Sequence, residues 1–428
     1  MKITDLPHKQ AKRYIEAFQD FQPHQQLLVK VGGGLLEDKA AVQELVEALT
    51  ELAEHNIHTV LVHGGGLQLN EALKQHNVTP RFIDNKRYTD ETTLKLAKAT
   101  FEEIGDELVR TFDEAGIKSA EIPSTELFAA RQDPKFGLVG TEITSIDSES
   151  IIDATQKHSV MVVGLIARNE ETGGILNINA DTIFRALATE LKPHRMVSLT
   201  PTGGVLKPID GSDTRELISG IDIRDIETLI GEGTVSGGMA LKLRELATIL
   251  SDLEIGSAIS ITKPSDLLLE LLTDQGSGTF VGKGQKIIVT SDIGVLFTDL
   301  LTLIKEVFDK DLPVGYDKQS LEKIYFTPDH QAFGIITKLS DGTPYLDKLV
   351  VSRQLQGRGI GENLWYRIIQ DFPVILWRSH ITNRYATWYH RHADIMKRQG
   401  EWILFGKGID FAALESMAEE LVTIPAMH

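Results

Sequence analysis

Leu27-Leu28-Val29-Lys30-Val31-Gly32-Gly33-Gly34 and, further along, Thr59-Val60-Leu61-Val62-His63-Gly64-Gly65-Gly66 decide how this chain folds. Each is an aliphatic run of strand length closed by a glycine triplet, and between them Val42, Leu45, Val46, Leu49, Leu52 and Ala53 recur at helical spacing. Two consecutive strand, glycine turn, helix units predict a mostly parallel sheet covered by helices, and the same alternation continues to about Ile261. Glycine turns let the backbone approach a ligand, and the amides opening the next helix form an anion cradle. One such turn reads equally well as a tight structural turn. Two in succession, preceded by Lys30 and by His63, favour phosphate.

Such a phosphate site has to be local. The formal net charge of −17 argues against a nucleic-acid or anionic-membrane surface, which would need clustered Lys and Arg. With 428 residues, 42% of them hydrophobic, the chain should divide into two or three domains. It has no cysteine, which excludes disulfides, thiolate zinc sites and a cysteine nucleophile. Met1 to Phe21 carries Asp5, Glu16 and Asp20 and no apolar core of a signal peptide, and no window approaches the roughly 18 to 20 apolar residues of a membrane span. A cytoplasmic location, without membrane or nucleic-acid partners, is expected.

Two later strings add charge to the glycine turns. Asn177-Ile178-Asn179-Ala180-Asp181-Thr182 suits a strand end lining a site, with Asp181 available to orient cations; a helix cap at Asn179 or Asp181 is the plainer alternative. Gly237-Gly238-Met239-Ala240-Leu241-Lys242 puts a lysine one turn after a glycine pair, within reach of phosphate or simply solvated.

Together with Arg87 in Lys86-Arg87-Tyr88-Thr89 and with Gly276-Ser277-Gly278-Thr279, these strings resemble the amino acid kinase family, in particular its N-acetylglutamate kinases, over about residues 25–285. The resemblance implies a three-layer open-sheet domain that uses ATP with Mg2+. It implies that Lys30 and Lys242 neutralise the transferring phosphoryl group, that Asp181 aligns them, and that Gly33, Gly34, Gly65, Gly66 and Gly238 hold the nucleotide phosphates. Gly65, Arg87 and Asn177 would bind N-acetylglutamate. Phosphoryl transfer is chiefly positioning and electrostatics, and a carboxylate nucleophile is already ionised at neutral pH, so no general base is required. Magnesium would be held by phosphate oxygens and water rather than by a protein cage. Asn85 and Lys86 stand where the family usually has a glycine and an aliphatic residue, and Pro201 where a glycine or aspartate is common.

Beyond Gly276 to Gly284 the composition shifts: Trp365, Trp377, Trp388 and Trp402, the four tryptophans of the chain, all lie there. A junction near Gly284 to Ile287 divides residues 1–285 from a smaller α/β domain, 286–428. The pattern there predicts a helix at Phe297 to Phe308, strands at Lys323 to Thr327, Phe333 to Leu339 and Leu346 to Ser352, and a helix through Leu364 to Ile369. A strand at Val374 to Trp377, a helix near Tyr385 to His392 and a strand at Trp402 to Phe405 follow. Gln356-Gly357-Arg358-Gly359-Ile360-Gly361 lies between an apolar strand and a helix, where its amides and Arg358 could bind a pyrophosphate or merely make a structural turn.

With Tyr345 to Val351, Leu364-Trp365, Trp377-Arg378-Ser379, Thr382-Asn383 and Trp388-Tyr389, this loop resembles the GNAT acetyltransferase superfamily, and within it the vertebrate-type N-acetylglutamate synthase domains, over about residues 290–410. That resemblance implies acetyl-CoA held by Leu349, Val351, Gln356, Gly357, Arg358, Gly359 and Gly361, and glutamate held by Lys348, Arg378 and Asn383, with Tyr389 near the sulfur. A tyrosine hydroxyl can protonate a departing thiolate; as a plainer alternative Tyr389 packs on Trp388. Trp365 and Trp377 are expected in the core. His380 stands where vertebrate relatives have an arginine. The catalytic candidates are therefore Lys30, Asp181, Lys242, Asn383 and Tyr389, with no metal held by the protein itself.

Gln10 to Phe21 could form an amphipathic helix with Tyr14, Ala17 and Phe18 on one face, or a terminal helix that merely frays. Arginine-sensitive kinases of the family carry such a helix beside the effector site, which implies L-arginine as an inhibitor near Tyr14, Glu270 and Gly276. Relatives also suggest a homo-oligomer, a tetramer being favoured. The leading expectation is that glutamate is acetylated in the C-terminal domain and its product phosphorylated in the N-terminal one. A synthase alone, with the larger domain reduced to an arginine-sensing scaffold, is the main alternative. A non-catalytic effector-binding module is the third.

Overall fold

A computed structural model describes residues 1–84, 86–209, 214–254, 257–273, 276–313, 316, 321–353, 355–356, 359–383 and 386–427. The chain forms two compact units, one of Met1–Ile221, Asp225–Leu253 and Ile259–Val281, the other of Asp222–Arg224, Glu254–Ala258 and Gly282–His428.

The first unit runs α1 (His8–Gln19), β1 (Leu27–Val31), α2 (Lys39–Glu54), β2 (Thr59–His63), α3 (Gly66–Gln75), α4 (Glu91–Glu114), β3 (Ser119–Ile122), β4 (Val160–Val163) and α5 (Ala180–Leu191). It continues through β5 (Arg195–Leu199), β6 (Gly220–Asp222), α6 (Gly237–Asp252), β7 (Ala258–Thr262), α7 (Leu267–Leu272) and β8 (Thr279–Gly282). The aliphatic runs are strands because both faces are covered: β1 and β2 are buried at every position. Helix α2 begins where Asp38 accepts from the Ala40 amide at 2.9 Å, and it buries Leu45, Val46, Leu49 and Leu52 as its spacing requires.

Strand order is β6-β8-β7-β5-β1-β2-β4-β3. Strand β1 lies between β2 and β5, parallel to both. The order reverses there, and in open α/β sheets a crevice forms at the carboxyl ends of such strands. A small closed barrel of Phe128–Gln132, Val139–Ile146, Ile166–Asn169 and Ile175–Ile178 was not foreseen from the sequence; its last strand delivers Asn177.

The second unit runs β9 (Ile288–Thr290), α8 (Phe297–Phe308), β10 (Lys323–Phe326), β11 (Ala332–Lys338), β12 (Pro344–Val351), α9 (Ile360–Asp371), β13 (Ile375–His380), α10 (Ala386–His392), β14 (Ile395–Gln399), β15 (Trp402–Lys407), α11 (Phe411–Ser416) and α12 (Ala418–Thr423). Its sheet has the order β9-β10-β11-β12-β13-β15-β14. Alternating residues serve opposite faces: Ile324 and Phe326 pack with Leu300 and Ile304 of α8, while Tyr325 packs with Leu364, Trp365 and Ile368 of α9. Trp365 and Trp377 are buried in that second cluster, as expected of core residues.

Two irregularities shape this sheet. Ile335 faces Lys348 while Ile336 faces Leu346, so Asp347 is an extra, bulged residue of β12. Among the described residues β12 and β13, which run parallel, pair only at Tyr345 and Leu376. The sequence missed β14, whose Ile-Met-Lys-Arg-Gln run is half exposed.

Candidate active sites

In the first unit the central strands bring the charged candidates together. Lys30 lies opposite Ser198 of β5 and Val62 of β2. Its buried ammonium pairs with the Asp181 carboxylate in the first turn of α5. Asn179 caps that helix by accepting from the Asp181 amide at 3.0 Å, so the plainer capping role falls to the asparagine and the aspartate side chain is left for Lys30. Lys242, on the first turns of α6, donates to Ser198 Oγ at 3.1 Å. Burial and the nearby Lys30 charge push its ammonium down to about 8, against the opposing pull of Asp181 and Glu245. Glu245, one turn along α6, is raised by burial and by the charge of Asp181. Ser198 and Glu245 were not read from the sequence; a lone hydroxyl in Met196-Val197-Ser198-Leu199 and a glutamate on a helix carry no spacing signal.

The two glycine turns touch. The Gly64 amide donates to the Val31 carbonyl at 2.7 Å, and a Cβ on Gly64 would lie 2.7 Å from the Gly33 amide nitrogen. A Cβ on Gly65 would lie 2.5 Å from the Phe101 ring. Both positions therefore require glycine. Gln68 of α3 donates to the Gly33 carbonyl at 2.8 Å and ties the turns together, while around Gly66 and Gly238, at the starts of α3 and α6, a side chain would meet open space. His63 is buried, and desolvation pushes its imidazole down to about 4, so it is neutral near pH 7.

Arg87 donates through Nη2 to Asn70 Oδ1 at 2.6 Å and to the Gly66 carbonyl at 3.2 Å, which fastens it to the second glycine turn. Its Nη1 is buried with no partner among the described residues. A buried guanidinium nitrogen left open suits a carboxylate. Asn177, also buried, donates to Thr89 Oγ1 at 3.1 Å, two residues from Arg87 along the chain. Asn70 and Thr89 are further neighbours that the sequence did not disclose.

In the second unit, Lys348 pairs with Asp347 at 2.7 Å, both side chains largely buried. Tyr316 donates to the other oxygen of that carboxylate. Burial and the Asp347 charge raise Tyr316 and Tyr345 well above the ordinary phenol value. The bulge thus sets a buried lysine and carboxylate beside the place where β12 and β13 part. Arg378, on β13, donates to the Leu421 carbonyl at 2.6 Å and to the Ile424 carbonyl, and stacks 3.9 Å over Trp402. Its guanidinium holds the carboxyl end of α12 in place.

Tyr389, on α10, is half-buried between Trp388 and Trp377, with ring centroids 5.4 and 6.3 Å away. Asn383 lies in the turn before α10, its amide donating to the His380 carbonyl at 2.8 Å. Leu349 and Val351 end β12, Gln356 donates to the Val351 carbonyl at 3.0 Å, and Gly359, with φ of +74°, caps α9. Gly361 follows in the first turn of that helix. Gly357 and Arg358 lie outside the described residues.

Around the expected effector position, α1 packs on α7. Glu270 is buried on α7, and one of its oxygens accepts from the Ser277 and Gly278 amides at 2.7 and 2.9 Å. Gly276 turns with φ of +60°, and a Cβ there would lie 2.8 Å from that oxygen. Tyr14 is half-buried on α1.

The amino acid kinase family matches residues 25–259, across the crevice that holds Lys30, Asp181 and Lys242. The chain belongs to that family. In this amino acid kinase, residues 298–424 match a second family, the N-acetyltransferase of N-acetylglutamate synthase. The chain is 31% identical to an acetylglutamate kinase of Xylella fastidiosa over 94% of both chains. It is 28% identical to the mitochondrial protein arg-6 of Neurospora crassa over 94% of this chain and 46% of that protein. In fold it is similar to N-acetylglutamate synthase from Neisseria gonorrhoeae, solved with coenzyme A and N-acetyl-glutamate, at a TM-score of 0.60 and 17% identity over 96% of each chain. An amino acid kinase fold is thus followed by an acetyltransferase fold. Among the described residues no helix is long and apolar enough to cross a membrane.

Proposed function

We propose that this chain is a bifunctional enzyme of arginine biosynthesis that acetylates L-glutamate from acetyl-CoA and phosphorylates the resulting N-acetylglutamate from ATP. The observation that carries the second reaction is the meeting of Lys30, Asp181, Lys242 and two touching glycine turns at the carboxyl ends of β1, β2 and β5.

In phosphoryl transfer, a carboxylate oxygen of N-acetylglutamate attacks the γ-phosphorus, and the bond to the β-bridging oxygen breaks to release ADP. Lys30 and Lys242 face the negative charge of the transferring group, and Asp181 fixes the first of them. Gly33, Gly34, Gly65, Gly66 and Gly238 line the phosphates, while Gly65, Arg87 and Asn177 hold the acyl substrate. Magnesium would come as the counter-ion of ATP, held by phosphate oxygens and water, and would supply charge neutralisation there.

In acetyl transfer, the glutamate amine, in its neutral form, attacks the thioester carbonyl; a C–N bond forms, the C–S bond breaks, Tyr389 gives its proton to the departing thiolate, and the proton shed by the nitrogen as it becomes an amide restores the phenol. Lys348, Arg378 and Asn383 hold glutamate. Leu349, Val351, Gln356, Gly357, Arg358, Gly359 and Gly361 hold acetyl-CoA, the gap between β12 and β13 giving its acyl end access to the amine. The first reaction belongs to residues 286–428, the second to 1–285; the enzyme works in the cytoplasm as a homo-oligomer, most simply a tetramer. L-Arginine inhibits from a site at Tyr14, Glu270 and Gly276.

Purified full-length protein tests this reading in two assays, acetyl-CoA with glutamate followed by thiol release, and ATP with N-acetylglutamate followed by hydroxamate formation. Both products are expected, and both should fall on adding L-arginine. Absence of either product removes that half of the proposal, and activities indifferent to arginine remove the effector site.

A further inference from the structure

A carboxylate that neither reaction has used joins the two helices around the proposed acetyl-transfer site. Glu362 stands in the first turn of α9, three residues after Gly359. Its Oε1 accepts from the Trp388 indole at 2.7 Å and from His392 Nε2 at 3.0 Å, both on α10. The pair is sheltered, with 17% of the Glu362 side chain and 7% of the His392 side chain exposed. Burial alone would raise this carboxyl, but the bonds from His392 and Trp388 and the charge of Arg391 hold it below its usual value, so it is ionised. The contact continues in Trp365, one turn along α9, whose ring lies 5.7 Å from Trp388 and 5.3 Å from His392.

A purely mechanical joint does not call for a carboxylate. Glu362 Oε2 is buried with no partner among the described residues, and an apolar contact would hold two helices without burying a half-satisfied charge. What the carboxylate adds is direction. Trp388 and His392 are one turn apart, on one face of α10, and a single oxygen that accepts from both fixes the rotation of that helix about its axis. Tyr389 is the residue after Trp388, turned by about 100°. The direction in which its side chain leaves the helix is therefore set by the same two bonds, and the rings of Trp377 and Phe405 pack beside it. The other end of the tether lies one turn from Gly359, at the loop assigned to acetyl-CoA.

We propose that Glu362 is a positioning residue for acetyl transfer, fixing the rotation of α10, and with it Tyr389, against the helix that follows the coenzyme A loop. This rests on the acetyl-transfer reading above and adds a residue to it.

The test is a double-mutant cycle on the full-length protein, with Glu362→Leu and Glu362→Gln made in the parent and in a Tyr389→Phe background. In the parent, Glu362→Leu should lower kcat for acetyl transfer by about tenfold to 10²-fold, with little change in KM for acetyl-CoA, because only the reacting geometry is lost. Glu362→Gln, which keeps an acceptor, should recover most of that loss. In Tyr389→Phe, where no hydroxyl remains to be placed, Glu362→Leu should lower the residual rate by less than about twofold. Phosphoryl transfer by the same samples should be unchanged.

Equal losses in both backgrounds, a loss confined to KM, or a Gln variant no better than Leu overturns the proposal. If tryptophan emission shows that Glu362→Leu unfolds the second unit, Trp388→Phe, which removes one donor and keeps a ring, takes its place in the cycle under the same criteria. A parent enzyme that releases no thiol from acetyl-CoA in the presence of glutamate refutes the functional reading itself. Additivity in an active parent refutes only the role of Glu362.

Discussion

The two candidate sites treat their cations in opposite ways. In the first unit, Arg87 keeps a buried nitrogen without a partner among the described residues, and Lys30 and Lys242 are held by one carboxylate and one hydroxyl. In the second unit, Lys348 is paired with its neighbour Asp347, and the guanidinium of Arg378 is engaged by two main-chain carbonyls and the Trp402 ring. The first arrangement leaves net positive charge facing a crevice, which suits polyphosphate and carboxylate. In the second, Asp347 offsets the charge of Lys348, while Arg378 keeps its charge but has donors taken up by main-chain carbonyls. One candidate site thus keeps a buried cationic donor open among the described residues, whereas the cations of the other are engaged within the protein.

The largest effect that could break this contrast is expected at Lys242. Lys242→Met should lower phosphoryl transfer by about 10²- to 10³-fold, since one preorganised positive group is lost from the transition state, and should leave acetyl transfer untouched. Steady-state rates with each substrate pair decide it. Next comes Tyr389→Phe, for which acetyl transfer should fall by about 10²-fold while hydroxamate formation from ATP and N-acetylglutamate persists.

A pair of matched substitutions sharpens the contrast further. Arg87→Lys removes the fork that serves Asn70, Gly66 and the open position, and should raise KM for N-acetylglutamate by about tenfold at near-constant kcat. Arg378→Lys should act first on stability, because the carbonyls of Leu421 and Ile424 cannot both be served by one ammonium; a loss of about 1–3 kcal/mol is expected in chemical unfolding followed by tryptophan emission. Unchanged stability in Arg378→Lys would contradict a structural share for that guanidinium beside its role toward glutamate, and an unchanged KM in Arg87→Lys would contradict the substrate role of Arg87.

The smallest effect is a pH dependence. Lys242 is charged below, and neutral above, a value lowered to about 8, so kcat/KM for ATP should decline as pH rises through that value. Bound polyphosphate favours the charged lysine and moves the decline in kcat to higher pH. A flat profile of kcat/KM between pH 7 and 9, measured to about 20% precision, would contradict the placement of Lys242 beside Lys30.

Much of this was legible in the sequence because it is periodic or glycine-bound. Strands β1 and β2, helices α2 and α8, and the central strands of the second unit follow from runs of apolar residues at fixed spacing. Helix α1 spans His8–Gln19 rather than Gln10 to Phe21, and α9 extends to both sides of Leu364 to Ile369, as expected where end effects rather than periodicity set the limits. The small barrel escaped because three of its strands have only four or five residues and because the helix Ser148–Lys157 and β4 of the main sheet separate Val139–Ile146 from Ile166–Asn169 in the chain. Strand β14 escaped because only long-range pairing with β15 makes it a strand.

The same division holds at the sites. Lys30, Asp181 and Lys242 belong to strings with a recognisable chemistry, and the fold brings them together. Ser198, Asn70, Thr89 and Glu362 are single polar residues in ordinary surroundings whose partners only the tertiary structure supplies, and Asp347, though next to Lys348, gains its bulged position and its bond from Tyr316 only in the fold. Arg378 was legible as a cation, but its engagement with the carboxyl end of α12 depends on a segment more than forty residues away.

The central claim is that two independent sites act in series within one chain, and complementation in solution tests it most directly. Lys242→Met and Tyr389→Phe proteins would each be given glutamate, acetyl-CoA, ATP, magnesium and hydroxylamine, singly and as a mixture. Neither protein alone should convert glutamate efficiently to the hydroxamate, whereas the mixture should restore much of the parental flux as N-acetylglutamate passes between them. Failure of the mixture, with each protein still folded and each retaining its unmutated half-reaction, would contradict the account.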